Sequence, residues 1–263
     1  LGTGALSTYQ YAAIFFQLPY GLIAVSLMTA VLPELSTAAK DGDDTAFRAK
    51  FREGLSLLLT FMVPAAAAYL MLGAPLVRLL LQRGAFDAAS ATQTAKMLAG
   101  FSVGLPAFAV FLYVVRAFYS RKNTRTPFVM NVVENGTNVL LLVPMTALFG
   151  RYGLSVAYSV AYWIAAALAV FAINLAVPGI LTTRTLGLFV RSAVVAAVVV
   201  LVLVATYLVT RNWLGPLANL LVGLTVAAAT FTATTLVVRP HGFETAVDGL
   251  RLGLRRRLGR SNG

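Results

Sequence analysis

The residues most able to do chemistry form one polar constellation in an apolar run: Asn131, Glu134, Asn135 and Asn138. Their spacing, i, i+3, i+4 and i+7, puts four polar side chains on one face of a helix. An ionisable group inside a membrane span costs about 2.5–3.5 kcal/mol on insertion scales, so Glu134 is expected to face a cavity or a partner rather than lipid. Such a stripe suits contact with a substrate or an ion, and it suits hydrogen bonding between packed spans equally well. A second candidate is Gln17-Leu18-Pro19-Tyr20-Gly21. Proline there removes a backbone donor, and glycine admits a neighbouring helix. The break either exposes carbonyls to a polar cavity or is a plain kink that shapes the bundle.

Other chemistries find no home. The chain has no cysteine and a single histidine, His241, so thiolate nucleophiles, disulfides and clustered metal ligands are not expected. Asp41-Gly42-Asp43-Asp44 begins like a calcium loop, but Ala46 stands where its glycine is needed and Arg52 where its closing glutamate is needed. No phosphate-binding loop, nucleophile elbow or dinucleotide fingerprint occurs, and the spans carry no paired carboxylates at catalytic spacing. The expectation is a protein that is not an enzyme, with no catalytic residue, no metal and no cofactor.

The elements that position these residues follow from composition. Of 263 residues 59% are hydrophobic and only 11% charged, which is outside the balance of a soluble domain. A spanning helix needs roughly 20 mostly apolar residues. By that test the predicted fold is an all-α polytopic membrane bundle with seven spans, over about 7–33, 54–73, 88–118, 127–148, 152–177, 187–209 and 214–237. The net charge of +12 raises the question of nucleic acid, but the cations lie between the apolar runs, and no nucleic-acid partner is expected. Sixteen Lys and Arg residues fall on one side of the spans. Only Arg78, Arg83, Lys96, Arg151 and Arg211 fall on the other. That asymmetry predicts a cytoplasmic C-terminus and an external start to the first span.

Between the second and third spans, Gly73 to Phe86 is predicted to be a short amphipathic surface helix, with Asp87 as N-cap of the next helix. Its Arg78 and Arg83 suit snorkelling to the interface better than specific contact with lipid phosphates. After the last span, Phe243, Val247, Leu250, Leu254 and Leu258 recur at helical steps, with Arg251, Arg255, Arg256 and Arg257 mostly off that stripe. The expectation is a basic amphipathic helix held to anionic lipid, each cation worth about 1 kcal/mol near the surface.

Three stretches together resemble the MurJ/MviN family of the multidrug/oligosaccharidyl-lipid/polysaccharide exporter superfamily. They are Tyr11-Ala12, Gln17-Leu18-Pro19-Tyr20-Gly21 and Leu32-Pro33-Glu34-Leu35-Ser36; then Arg83-Gly84-Ala85-Phe86; then Gly104-Leu105-Pro106, Arg116-Ala117-Phe118-Tyr119-Ser120 and Thr124-Arg125-Thr126-Pro127. The motifs cover about the first half of the chain, and the last three spans fit by number and position. The resemblance implies the second half of a 14-helix transporter of the bacterial plasma membrane, whose N-terminal half is missing here. It implies translocation of lipid II, or a similar undecaprenyl-pyrophosphate-linked glycan, by alternating access. On that pattern 1–180 is a lobe of five spans, 181–238 supplies two further helices forming a groove for the lipid tail, and 239–263 is the basic cytoplasmic tail. Tyr11, Gln17 and Tyr20 would then line the substrate cavity, and Asn131, Glu134, Asn135 and Asn138 would gate or pack the lobes.

The sequence departs from the family pattern twice. Many relatives carry an arginine three residues before Gln17, facing the pyrophosphate, where this chain has Ile14. Some superfamily members place a cation-binding acid four residues after the asparagine, where this chain has Leu142. Neither a phosphate clamp nor a sodium site is therefore carried over. Two other readings stay open: a flippase for another polyprenyl-linked polysaccharide, and a non-transporting membrane scaffold for cell-wall synthesis, which would need no phosphate clamp.

Overall fold

A computed structural model describes residues 5–82, 86–210 and 213–238. Helix α1 (Ala5–Pro19) passes through a π-helical turn (Tyr20–Ala24) into α2 (Val25–Lys40). Helices α3 (Asp44–Leu81), α4 (Ala88–Ser120), α5 (Arg125–Phe149), α6 (Gly153–Ala176), α7 (Thr183–Thr210) and α8 (Pro216–Val238) follow. No strand occurs among the described residues.

Local chemistry sets the boundaries. Asp43 caps α3, its carboxylate accepting from the amides of Thr45 and Ala46 at 2.9 Å each. Gly42, at φ +69°, supplies the left-handed residue that the tight α2–α3 turn requires. Asp87 caps α4 as expected, accepting from Ser90 N–H at 2.8 Å.

Among the described residues, six continuous helical stretches are long and apolar enough to cross a membrane. One of them, Arg125–Ala176, has 52 residues. As a straight rod it would run about 78 Å, more than twice the ~30 Å of hydrocarbon. It is folded back at Gly150, whose φ of +58° breaks the helix, and the legs α5 and α6 pack against each other. At the foot of this hairpin the backbones come so close that a Cβ on Gly153 would lie 2.2 Å from the Met145 carbonyl oxygen. Each leg is itself of spanning length, so the six stretches divide into seven helical segments where the sequence predicts seven spans, and the chain is a multi-pass membrane protein.

The segment after the second span corrects one expectation. Residues 73–81 are the last turns of α3, not a separate surface helix. Leu72, Gly73 and Val77 are buried, Gly73 beside Leu98 of α4 and Leu72 beside Gly223 of α8, so packing carries the helix through Pro75.

The core is built around α4, the most enclosed helix, with α1, α3 and α6 packed on it. Gly100 and Gly104 let α6 approach closely. Ser159 Oγ donates to the Gly100 carbonyl at 2.6 Å, and a Cβ on Gly104 would fall 2.8 Å from Ser159 Cα. Helices α7 and α8 join through α3, by a buried Thr60–Ser192 hydroxyl contact at 3.2 Å and an apolar cluster of Leu72, Val199, Leu203 and Leu220.

Candidate functional site

Pro19 has no N–H to return to the carbonyl of Phe15, so the first span cannot continue as a regular helix. The chain widens into the π-turn, where Val25 N–H reaches the Tyr20 carbonyl five residues back. The freed Phe15 carbonyl is not left to a cavity: the Tyr69 hydroxyl of α3 donates to it. Sequence reasoning missed Tyr69, which lies 54 residues away and carries no motif.

Around this turn, Tyr11 and Gln17 are exposed, and Tyr20 is half-buried with its ring 4.8 Å from Phe108. Tyr11 touches the ring of Phe86 edge-on at 5.3 Å. Ile14 is 59% exposed, and a Cβ on Gly21 would meet nothing within 4 Å. Tyr11, Ile14, Gln17 and Gly21 thus mark one face of this span turned away from the bundle, while Ala12, Phe15 and Phe16 are buried in it.

The α5 stripe divides. Asn135 is exposed and its amide donates to the Asn131 carbonyl at 2.8 Å; Asn131 donates likewise to Pro127. Glu134 is buried, and Asn138 Oδ1 is a buried acceptor without a donor. Glu134 lies in electrostatic range of Tyr9 of α1 and of Tyr158 and Tyr162 of α6. These rings belong to a stack with Phe16, Phe101 and Phe108: Tyr158 and Tyr162 centroids are 4.7 Å apart, and Phe16 meets Tyr158 edge-on at 5.6 Å. The structure therefore buries Glu134 within electrostatic range of these tyrosines and leaves Asn135 exposed. The tyrosines were missed because aromatic residues in an apolar run read as ordinary core.

One end of the bundle is tied by charge. Lys50 of α3 pairs with Glu34 of α2 at 2.8 Å, and Arg121 with Asp44 at 3.0 Å while lying 5.1 Å over the Phe47 ring. Arg48 and Arg52 donate to the carbonyls of Pro178, Gly179 and Ile180, binding the α6–α7 connection to α3. A cavity of about 520 Å³ opens between α3, α4, α6 and α7, lined by apolar groups including Leu59, Val110, Trp163, Val170 and Leu181. Arg251, Arg255, Arg256 and Arg257, expected to bind lipid, lie outside the described residues. Among the described residues no group of three or more His, Cys, Asp or Glu side chains could hold a metal.

Comparison with known proteins assigns the bundle. A probable lipid II flippase MurJ of Rhizobium meliloti (strain 1021) is 33% identical over 165 residues, 63% of this chain and 31% of that protein. The lipid II flippase MurJ of Thermosipho africanus (strain TCF52B) is 32% identical over 152 residues, 58% of this chain and 31% of that protein. A probable lipid II flippase MurJ of Rhizobium tropici is 31% identical over 201 residues, 75% and 38% of the two chains. This chain thus spans about a third of the length of these relatives. A solved structure of lipid II flippase MurJ in an inward closed conformation shares the fold, with a TM-score of 0.74 and 24% identity, over 91% of this chain and 48% of that one. Residues 1–224 match the family model described as lipid II flippase MurJ, and the chain belongs to that family.

Proposed function

We propose that this chain is the C-terminal part of a flippase that carries lipid II across the bacterial plasma membrane by alternating access, without covalent chemistry on the substrate. The observation that carries this reading is the family match over residues 1–224. Two features support it. The first span is interrupted at a π-turn, and its Tyr11, Gln17 and Gly21 face outward, where upstream helices of a longer chain would complete a central cavity with Tyr20 at its wall. Interrupted helices at a lobe interface are where transporters place their substrate sites.

In this reading 1–180 is the second lobe, and 181–238 adds the two helices that serve the lipid tail. The apolar cavity between α7 and the lobe is chemically suited to a polyprenyl chain, although it is walled by α7 and the core rather than by α7 and α8. The C-terminus is cytoplasmic, and Arg251, Arg255, Arg256 and Arg257 hold the tail to anionic lipid. The exposed Ile14, at the position where the family resemblance implies an arginine in many relatives, favours one second reading, a scaffold that moves no pyrophosphate. The test is reconstitution of the full-length protein in liposomes loaded with lipid II on one leaflet. Time-dependent arrival at the other leaflet supports a flippase, and arrival no faster than in empty liposomes favours the scaffold.

A further inference from the structure

Glu134 is 3% exposed and makes no hydrogen bond or ion pair with any described residue. The groups around it are accounted for element by element. Tyr9 comes from α1 and Tyr158 and Tyr162 from α6, all neutral phenols. From α4, the charge of Arg116 acts on Tyr20, and Lys96 stands 5.6 Å over the Tyr152 ring. From the α5–α6 turn, Arg151 donates to Gln93 at 2.7 Å. On α5 itself, Asn131 is spent on a backbone carbonyl and Asn138 presents an acceptor with no donor, one turn beyond Glu134 on the same face.

An ionised carboxylate in this setting has no cation, no donor and little water, and the cost of burying an isolated charge is met by giving the charge up. A protonated acid, by contrast, offers one O–H donor beside an orphaned acceptor. We propose that Glu134 is a proton-binding site, neutral in this conformation, whose proton leaves to water when α1 separates from α5 and α6. Separation would let water and the tyrosine hydroxyls solvate the carboxylate, so deprotonation favours the opened arrangement and reprotonation the closed one. The coupling role rests on reading the chain as a moving transporter lobe; the site itself rests on burial and partners alone.

The test uses the full-length protein in lipid nanodiscs, with no substrate. Infrared difference spectra on pH titration should show a protonated carboxyl signal that persists at neutral pH in the natural sequence and is lost in Glu134→Gln. Absence of the neutral-pH signal in the natural protein, which needs no variant to fold, overturns the site. A signal displaced by sodium at fixed pH also overturns it, in favour of a metal cation. For the coupling, Gln17→Cys, with any upstream cysteine replaced, should react with a water-soluble maleimide faster as pH rises than thiolate formation alone accounts for, measured against the denatured protein, and Glu134→Gln should abolish that excess. A pH dependence unchanged by Glu134→Gln overturns the coupling. Lipid II transport measured on the same samples separates the two readings, since transport without a Glu134 signal contradicts only this inference.

Discussion

At the scale of the residue, two kinds of side chain decide most of what is specific here: those absent and those ionised. Gly100 and Gly104 bring α4 and α6 into backbone contact, and a methyl group on Gly104 would sit 2.5 Å from Ser159 Oγ. Gly104→Ala is therefore expected to destabilise the bundle by roughly 1–3 kcal/mol, as overpacking does, seen as a lower unfolding temperature of the detergent-solubilised full-length protein. An unchanged temperature would contradict the packing. The pair is a small-xxx-small motif, legible in the sequence as Gly-Phe-Ser-Val-Gly, and the expectations above did not use it. Asp87 was read from sequence, because a cap needs only an acid before an apolar run. The Ser90 amide holds its carboxyl below the usual carboxylate range. A depressed acid contributes its stability above the ordinary carboxylate range and loses it as pH falls through the lower folded value. Hydrogen exchange should thus show the Ser90 amide losing protection on acidification, and Asp87→Asn, which still caps, should remove that pH step.

At the scale of the element, the sequence marks where helices break but not what the break is bonded to. Pro19 and Gly21 locate the interruption of the first span, and the structure turns it into a π-turn whose spare carbonyl is held by Tyr69. Tyr69→Phe leaves that carbonyl buried without a donor, at a cost of about 1–3 kcal/mol. The prediction is faster amide exchange across Tyr20–Val25 with the rest of α3 unaffected; equal exchange in both proteins would mean the turn does not depend on this bond. The extension of α3 to Leu81 was illegible for a related reason. Glycine and proline at 73 and 75 are local signals for an end, and burial of Leu72 and Val77 against α4 and α8 overrides them. Helix existence is encoded along the chain, whereas helix ends that rest on tertiary contact are not.

At the scale of the whole molecule, seven helical segments follow from apolar length, and the hairpin at Gly150 follows from glycine between two apolar runs. Which face of α1 meets the core does not follow, because both faces of Tyr9 to Gly21 are apolar or weakly polar; only packing on Phe101 and Phe108 sets Phe16 inward and Gln17 outward. The same ambiguity hid the partition of the α5 stripe, in which Glu134 is buried and Asn135 exposed. Under the proposed function, upstream helices meet the outward face of α1, and the bundle works only together with them. The most direct test of that function is in cells depleted of their own lipid II flippase and supplied with the full-length gene, scoring growth and the lipid II accessible at the outer leaflet. The account predicts that both are restored and that both fall when Gln17 or Glu134 is replaced by alanine in a protein still present in the membrane at normal level. Normal insertion with no lipid II reaching the outer leaflet would contradict it.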